Sequence, residues 1–395
     1  MTTETVTDLG ALGERFDRDP YPFLAALRER GPVHRVRTPE GYEVWLVVGY
    51  DEARAALTDA RLSKVYPPPA PGGPPFEVSP APHMLVFDPP DHTRLRRLVV
   101  REFTPRRIAG MAGRVQEITD GLLDRMLAAP GRRADLVDGL SFPLPITVIC
   151  ELLGVPFFDQ DTFRAWTVRL FSLRPLEERE AVRGEMTAYI ESLLAAKRAR
   201  PGDDLMSALL HTADEDGDRL SGPELTGMAW LLLIAGHETT VNLISNGVLA
   251  LLRHPDQLAA LRADPSLVDN AVEEMLRYDA PVSTGTMRFA AEPFDIAGTR
   301  VERGDAVLAC IADADRDPAR FPGGDRFDVR RETGGHLAFG HGIHYCLGAP
   351  LARLEARTAI RALLERAPDL ALDAEPGGWR PGTLFHGPLN LPVRW

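Results

Sequence analysis

Cysteine is scarce. Cys150, Cys310 and Cys346 are the only three in 395 residues. Three thiols cannot staple a chain of this length, which excludes a disulfide framework and points to a reducing compartment. Positive charge is also in deficit. There are 45 Lys and Arg against 57 Asp and Glu, a net charge of −12. That balance argues against a nucleic-acid partner. Long apolar runs are missing. The longest, Trp230 to Ala235, is far below the ~18 residues that cross a bilayer, and the first eight residues, from Met1 to Asp8, have neither the basic start nor the apolar stretch of a leader. The expectation is a cytoplasmic protein with no membrane partner. A Gly-x-Gly-x-x-Gly after a strand, a phosphate-binding loop and an iron–sulfur cysteine set are all absent, so no reductase module is expected within the chain.

Proline and glycine, by contrast, are plentiful, with 34 of each to punctuate the elements. Apolar residues make up 44%, enough for a large core. The length would hold two or three average domains. No linker divides it, however, and a single domain over 1–395 is expected. Helical periodicity covers 22–30, 91–103, 111–127, 143–153, 160–173, 177–200, 256–263, 267–278 and 350–367. Strand patterns cover 33–36, 44–48, 282–290, 294–296, 300–301 and 306–311. A helix over 51–58 is expected to be capped by Asp51. Ser221-Gly222-Pro223-Glu224 opens a helix with a capping-box pattern that runs ~30 residues to Arg253. It is apolar nearly all round and must cross the middle of the molecule. The segment 66–82 is the most irregular and suits a mobile cover over a site. Asp214-Glu215-Asp216-Gly217-Asp218 lacks the distal Glu of a calcium loop and reads as a solvated turn.

The chemistry concentrates in Phe339-Gly340-His341-Gly342-Ile343-His344-Tyr345-Cys346-Leu347-Gly348. Glycines let this backbone turn sharply and approach a flat ligand. A helix follows, so Cys346 sits just before a helix N-terminus, where a thiolate is favoured. Read from the residues alone, Cys346 is either an inert buried thiol or a metal ligand. A zinc site of His341, His344 and Cys346 is a weaker option, since no further ligand follows at suitable spacing.

The order Phe-x-x-Gly-x-His-x-Cys-x-Gly resembles the haem-ligand loop of the cytochromes P-450. The resemblance implies haem b held by the Cys346 thiolate, with Phe339 and Gly348 as part of the same cofactor loop. Such a ligand favours O–O cleavage. It also implies that family's fold, mainly α with small antiparallel β-sheets. Ala235-Gly236-His237-Glu238-Thr239-Thr240, inside the long helix, resembles the family's oxygen-activation motif. Gly236 would leave room for dioxygen, Thr239 would hydrogen-bond the bound oxygen or its water, and Glu238 would join a proton relay. On its own residues the stretch reads equally as a local helix distortion rebonded by threonine. His92, Arg96, Arg288 and His344 match the positions that hold the haem propionates. Glu274, Arg277 and Arg326 match a structural Glu–Arg–Arg triad.

The resemblance further implies an oxygenase fed by a ferredoxin and its reductase. Arg94, Arg97, Arg101, Arg106 and Arg107 are a candidate docking patch, or a solvated helix face. Several stretches are similar to actinobacterial macrolide hydroxylases of antibiotic biosynthesis, so a bulky hydrophobic substrate is expected. Its walls would be Met84, Leu85 and Val86; Ile234, Ala235 and His237; the segment from Val282 to Thr286; and Leu384 and Phe385. Glu77, in the 66–82 cover, is a candidate partner for an amino sugar. A peroxide-driven peroxygenase and a haem-based sensor are the alternatives.

Overall fold

One unbroken helix of 32 residues, Gly222–Arg253, runs through the molecule, and other helices pack on it from several sides. The structure is a computed structural model that describes residues 6–65, 81–156, 160–171, 176–212 and 217–395. Glu77 and the residues from Asp214 to Asp216 lie outside the described residues. The principal helices are α1 (Asp91–Glu102), α2 (Ala112–Leu127), α3 (Pro143–Leu153), α4 (Leu176–Ala199), α5 (Gly222–Arg253), α6 (Val268–Tyr278) and α7 (Ala349–Arg366). The predicted capping box starts α5: the Ser221 hydroxyl accepts from the Glu224 amide, and Glu224 accepts from the Ser221 amide at 2.8 Å. Between Leu225 and Leu251 every residue of α5 is buried except Trp230, Ala235, Gly236 and Thr239. Helices α3, α4, α6 and α7 cover it.

Six short strands form the larger sheet: β1 (Thr7–Asp8), β2 (Val33–Arg37), β3 (Glu43–Val47), β4 (Leu62–Ser63), β5 (Arg288–Ala290) and β6 (Ala306–Ala309). Their spatial order is β1-β2-β3-β6-β5-β4. The mainly helical fold with small sheets is as expected, but this sheet is mixed. β1 pairs with β2, and β3 with β6, in parallel. The β2–β3 hairpin is antiparallel through its short turn, whereas β6 returns after the whole helical region and can align either way. Of the strand expected over 282–290 only β5 forms. Upstream of it Val282 and Thr284 make single bridges to Phe385 and Cys310. The helix expected at 51–58 is Tyr50–Ala56. Asp51 does not cap it; Asp313 and Asp317 accept from the Gly49 and Tyr50 amides, each at 2.8 Å. A cap supplied from 260 residues away leaves no local signature.

Glu274 and Arg277 are wholly buried and joined by two contacts of 2.7 and 2.8 Å. The third cation is not Arg326, whose side chain is exposed and which contributes only its carbonyl to Arg277. Arg331 takes that place, with Nε 3.3 Å from Glu274 Oε1. The Asp325–Phe327 turn presents backbone to Arg277 and turns the Arg326 side chain outward. Arg277 also donates to the Asp315 and Gly324 carbonyls at 2.7 and 2.8 Å.

Asp315 ties this region to the cysteine loop by accepting from the Leu337 amide at 2.6 Å. Burial pushes its carboxyl up to about 7, against pulls from His336, the Leu337 amide and Arg277. A carboxyl raised on folding binds more protons in the native state, so it opposes stability increasingly as pH rises from the unfolded value towards about 7. Asp315→Asn is therefore expected to gain on the wild type between pH 5 and pH 8, by an amount of order 2 kcal/mol. Urea unfolding at several pH values measures the gap; a gap that stays constant with pH would contradict this account.

Candidate active site

The cysteine loop is built on two glycines in the left-handed region, Gly340 (φ 73°) and Gly342 (φ 74°), where a side chain would be strained. A Cβ on Gly342 would also lie 2.8 Å from Thr58. The Cys346 amide closes the loop on the Phe339 carbonyl at 2.9 Å. Helix α7 begins three residues on, and the Gly348 and Ala349 amides act on the sulfur. The expectation that this position favours thiolate needs correction for the protein atoms alone. Burial pushes the thiol up and outweighs those amides and the cations Arg96 and Arg353. A bound metal ion would reverse that balance, since metals hold thiolates. The zinc reading falls: among the described residues no three His, Cys, Asp or Glu converge as a metal site. His344 turns instead to His92, ring centroids 4.5 Å apart.

The motif on α5 splits between two environments. Ala235 is exposed and Gly236 and Thr239 are half-exposed, an opening in an otherwise buried helix. Thr239 donates to the Ala235 carbonyl at 3.0 Å, and the helix stays unbroken. Gly236 also has a packing role. A Cβ there would fall 2.7 Å from Ile149, so its missing side chain lets α3 approach α5. His237 is not in the pocket. It is wholly buried against Phe142, with Nδ1 2.8 Å from the Leu233 carbonyl and Nε2 3.4 Å from Glu238. The i+2 offset from Ala235 carries it round the helix and away from the opening.

Glu238 is buried, and its partner is one the sequence did not disclose. Arg380 Nη2 lies 2.7 Å from Glu238 Oε2, and Arg380 Nε donates to Asn242 at 3.3 Å. Burial pushes the carboxyl up, yet the attraction of Arg380, with His237 and Thr167 behind it, holds it down at about 2.

Below the opening, the expected cationic residues converge. Arg96 donates to the Tyr345 carbonyl, next to Cys346, at 2.7 Å. Arg288 is buried and donates only to carbonyls, those of Thr286 and Leu57. Burial, then Lys64, His92, Arg288 and Arg96, drive the His344 imidazole down to about 3. The His92 imidazole is buried, and the Ile343 backbone is the one hydrogen-bonding group acting on it among the described residues, at a geometry too poor to satisfy either ring nitrogen fully. Polar atoms left so are costly unless a ligand meets them. Two arginines and two imidazoles gathered with donor capacity left over fit the edge of a ligand bearing carboxylates.

A cavity of about 290 Å³ lies beside this region. Thr286, Leu384 and Phe385 line it as expected. Val282 touches the wall through its backbone bridge to Phe385. Met84, Leu85 and Val86 form a short 3-10 helix against α1, and neither they nor Ile234, Ala235 and His237 are among the cavity walls. Walls the sequence did not announce are Glu40 and Tyr42 from the β2–β3 turn, Phe171, Arg183 of α4 and Trp230 of α5. Phe171 meets Phe385 edge-on at 4.9 Å. The one usable signal was Trp230, an amphipathic ring and the only Trp, Tyr or Phe on that helix. In the basic cluster, Arg94 is paired with Asp218 and Glu224, and Arg107 with Glu102; Arg97, Arg101 and Arg106 are exposed.

A cysteine sulfur presented by a glycine loop, with unneutralised cations around its rim, asks for a flat metal complex that carries acids at its edge. The class is a haem-thiolate protein. The cytochrome P450 family model matches residues 176–367. The chain is 60% identical over 393 residues to the cytochrome P450 monooxygenase PikC of Streptomyces venezuelae, covering 99% of this chain and 94% of the relative. It is 47% identical over 405 residues to the 6-deoxyerythronolide B hydroxylase of Saccharopolyspora erythraea, covering 99% of both. The solved structure of the tirandamycin C-bound P450 monooxygenase TamI superposes with a TM-score of 0.88 at 44% identity, covering 98% of this chain and 99% of that one. The chain belongs to the cytochrome P450 family and is a P450 monooxygenase. Among the described residues no helix is long and apolar enough to cross a membrane.

Proposed function

We propose that this P450 hydroxylates or epoxidises a bulky, largely apolar macrolide or polyketide in antibiotic biosynthesis. It would use dioxygen and electrons from a ferredoxin and its reductase, in the cytoplasm, with haem b as cofactor and residues 1–395 acting as one domain. The observation that carries the reading is the 60% identity along 99% of the chain to a P450 monooxygenase, with the 6-deoxyerythronolide B hydroxylase also matched end to end. The cavity supports it: aromatic and aliphatic side chains dominate the walls, with Glu40 and Arg183 as the charged groups. Such walls recognise by shape and apolar contact, and a few polar groups fix orientation.

Haem, once bound, supplies the oxygen chemistry, and the protein supplies the rest. Cys346 would hold the iron, with Phe339 and Gly348 shaping its loop. His92, Arg96, Arg288 and His344 would bind the propionates. Thr239, on the open patch of α5, presents a hydroxyl that can leave the Ala235 carbonyl to bond a guest or its water. Glu238, one residue away and buried, holds or passes a proton at Oε2, and Arg380 keeps that oxygen ionised between events. The cluster of Arg94, Arg97, Arg101, Arg106 and Arg107 is the candidate for docking an acidic ferredoxin, a salt-sensitive association. The Glu238–Thr239 pair favours dioxygen over peroxide as oxidant, because a peroxide-driven enzyme needs no proton delivery of this kind.

The test titrates macrolactones, fatty acids and terpenes against the purified enzyme and follows the haem spin-state shift. Macrolactones are expected to bind most tightly. Tight binding of small fatty acids or terpenes alone would overturn the macrolide assignment and leave the monooxygenase standing.

A further inference from the structure

Lys64 follows directly on β4 and is 3% exposed. Its Nζ donates to the Thr286 carbonyl at 2.9 Å, the Met287 carbonyl at 2.9 Å and the Thr286 hydroxyl. The Thr286 carbonyl is shared. It also accepts from Arg288 Nη1 at 3.3 Å. Two buried cations therefore hang on one neutral oxygen, and among the described residues no carboxylate touches either. The acid that acts on both is Asp88, whose oxygens are occupied by the Ser63 hydroxyl and the Lys64 amide. Like charges side by side in a poorly polarisable interior repel, and buried charge persists only when paired.

The neighbours deepen the imbalance. Lys64 and Arg288 both press on His344, and Arg96 presses on His344 and His92. Lys64, Arg288 and Arg96 against Asp88 leave two positive charges over, the number carried with opposite sign by a dicarboxylate. Counting only the arginines leaves one. Burial, then Arg288, pulls the Lys64 ammonium well below its ordinary range while Asp88 opposes. A carboxylate placed between the two cations would relieve that strain.

We propose that Lys64 is a further haem-propionate residue, paired with Arg288 beneath one carboxylate. Thr286 and Met287, which anchor its ammonium, also line the cavity. The carboxylate takes over the contact now made by the Thr286 hydroxyl, while the two carbonyl bonds stay in place. The inference rests on the haem reading of the site. The alternative is a neutral strap, in which Lys64 merely ties β4 to the segment before β5.

The holoenzyme separates the two. Haem transfer to excess apomyoglobin and the iron reduction potential are measured in wild type, Lys64→Met, Lys64→Arg and Thr286→Val. Lys64→Met is expected to lose haem roughly tenfold faster, the cost of one charge-assisted hydrogen bond. Its potential moves to a more negative value, because a positive charge near the iron has gone. Thr286→Val, which removes only the hydroxyl contact and keeps the charge and both carbonyl bonds, should hold haem and potential close to wild type. If Lys64→Met does not fold, Lys64→Arg decides: it keeps the charge without the same contacts, and haem loss within about twofold of wild type supports the proposal. Wild-type haem loss in Lys64→Met, or a Thr286→Val variant that reproduces its phenotype, overturns it. A wild-type protein that carries no haem would refute the haem reading itself, a separate outcome.

Discussion

Replacing Cys346 by serine is expected to abolish the red-shifted ferrous–carbonyl Soret band and to cut product formation by roughly a hundredfold or more, the upper end of losses at metal sites. The loop makes this a clean substitution. Its shape depends on Gly340, Gly342 and the Cys346-to-Phe339 backbone bond, none of which involves the sulfur. Serine fits the same volume, so unfolding is not the expected outcome. The oxygen is a harder, less electron-donating ligand, and the band reports the ligand directly. The neighbouring His344→Ala should instead weaken haem retention and leave the band in place, because His344 turns towards His92. A Cys346→Ser protein that kept the red-shifted band would refute the ligand assignment.

Thr239→Ala is expected to keep consuming reducing equivalents through the redox partners while diverting them to hydrogen peroxide. Product per electron should fall about tenfold or more, since positioned proton donors contribute roughly 10²–10⁴-fold. The hydroxyl is the only polar side-chain group on the open patch of α5; Ala235 and Gly236 have none. Nothing else on that patch can take its place. Wild-type coupling should be flat between pH 5 and pH 8, because Glu238 is held ionised at about 2. The sign follows from the ion pair. With Arg380→Gln the largest stabilising charge is gone, burial dominates and the carboxyl rises. Coupling in that variant should then change with pH over the same range, and Arg380→Lys should restore most of the flat profile. Peroxide and product assays across pH check both variants. Unchanged coupling in Thr239→Ala would remove Thr239 from proton delivery.

What the sequence disclosed was local. The capping box at Ser221, the length of α5, the glycine-built cysteine loop and the Glu274–Arg277 pair all depend on residues close together in the chain, so their spacing is legible. What it withheld was contact between distant segments. Arg380 meets Glu238, Asp313 and Asp317 cap the helix at Tyr50, and Arg331 rather than Arg326 completes the Glu274 cluster. Arginine is common enough here that no pattern marks one as special. His237 fell to helical rotation. Neighbours in a motif were read as one site, although successive residues on a helix point about 100° apart. The parallel pairing of β3 with β6 was hidden for the same reason as Arg380, because its partner arrives hundreds of residues later.

The Glu238–Arg380 contact also bears on how the chain is made. Arg380 lies 138 residues beyond Asn242, which it also bonds, and so emerges late in synthesis. Until then α5 carries a buried carboxylate with no arginine to balance it, and burial alone pushes that carboxyl up. The last strand, Pro392–Arg394, pairs with Arg133–Asp135 and anchors the tail that brings Arg380 in. A chain cut before Arg380 lacks the arginine that holds Glu238 ionised, and burial then acts on that carboxyl without its main counterweight.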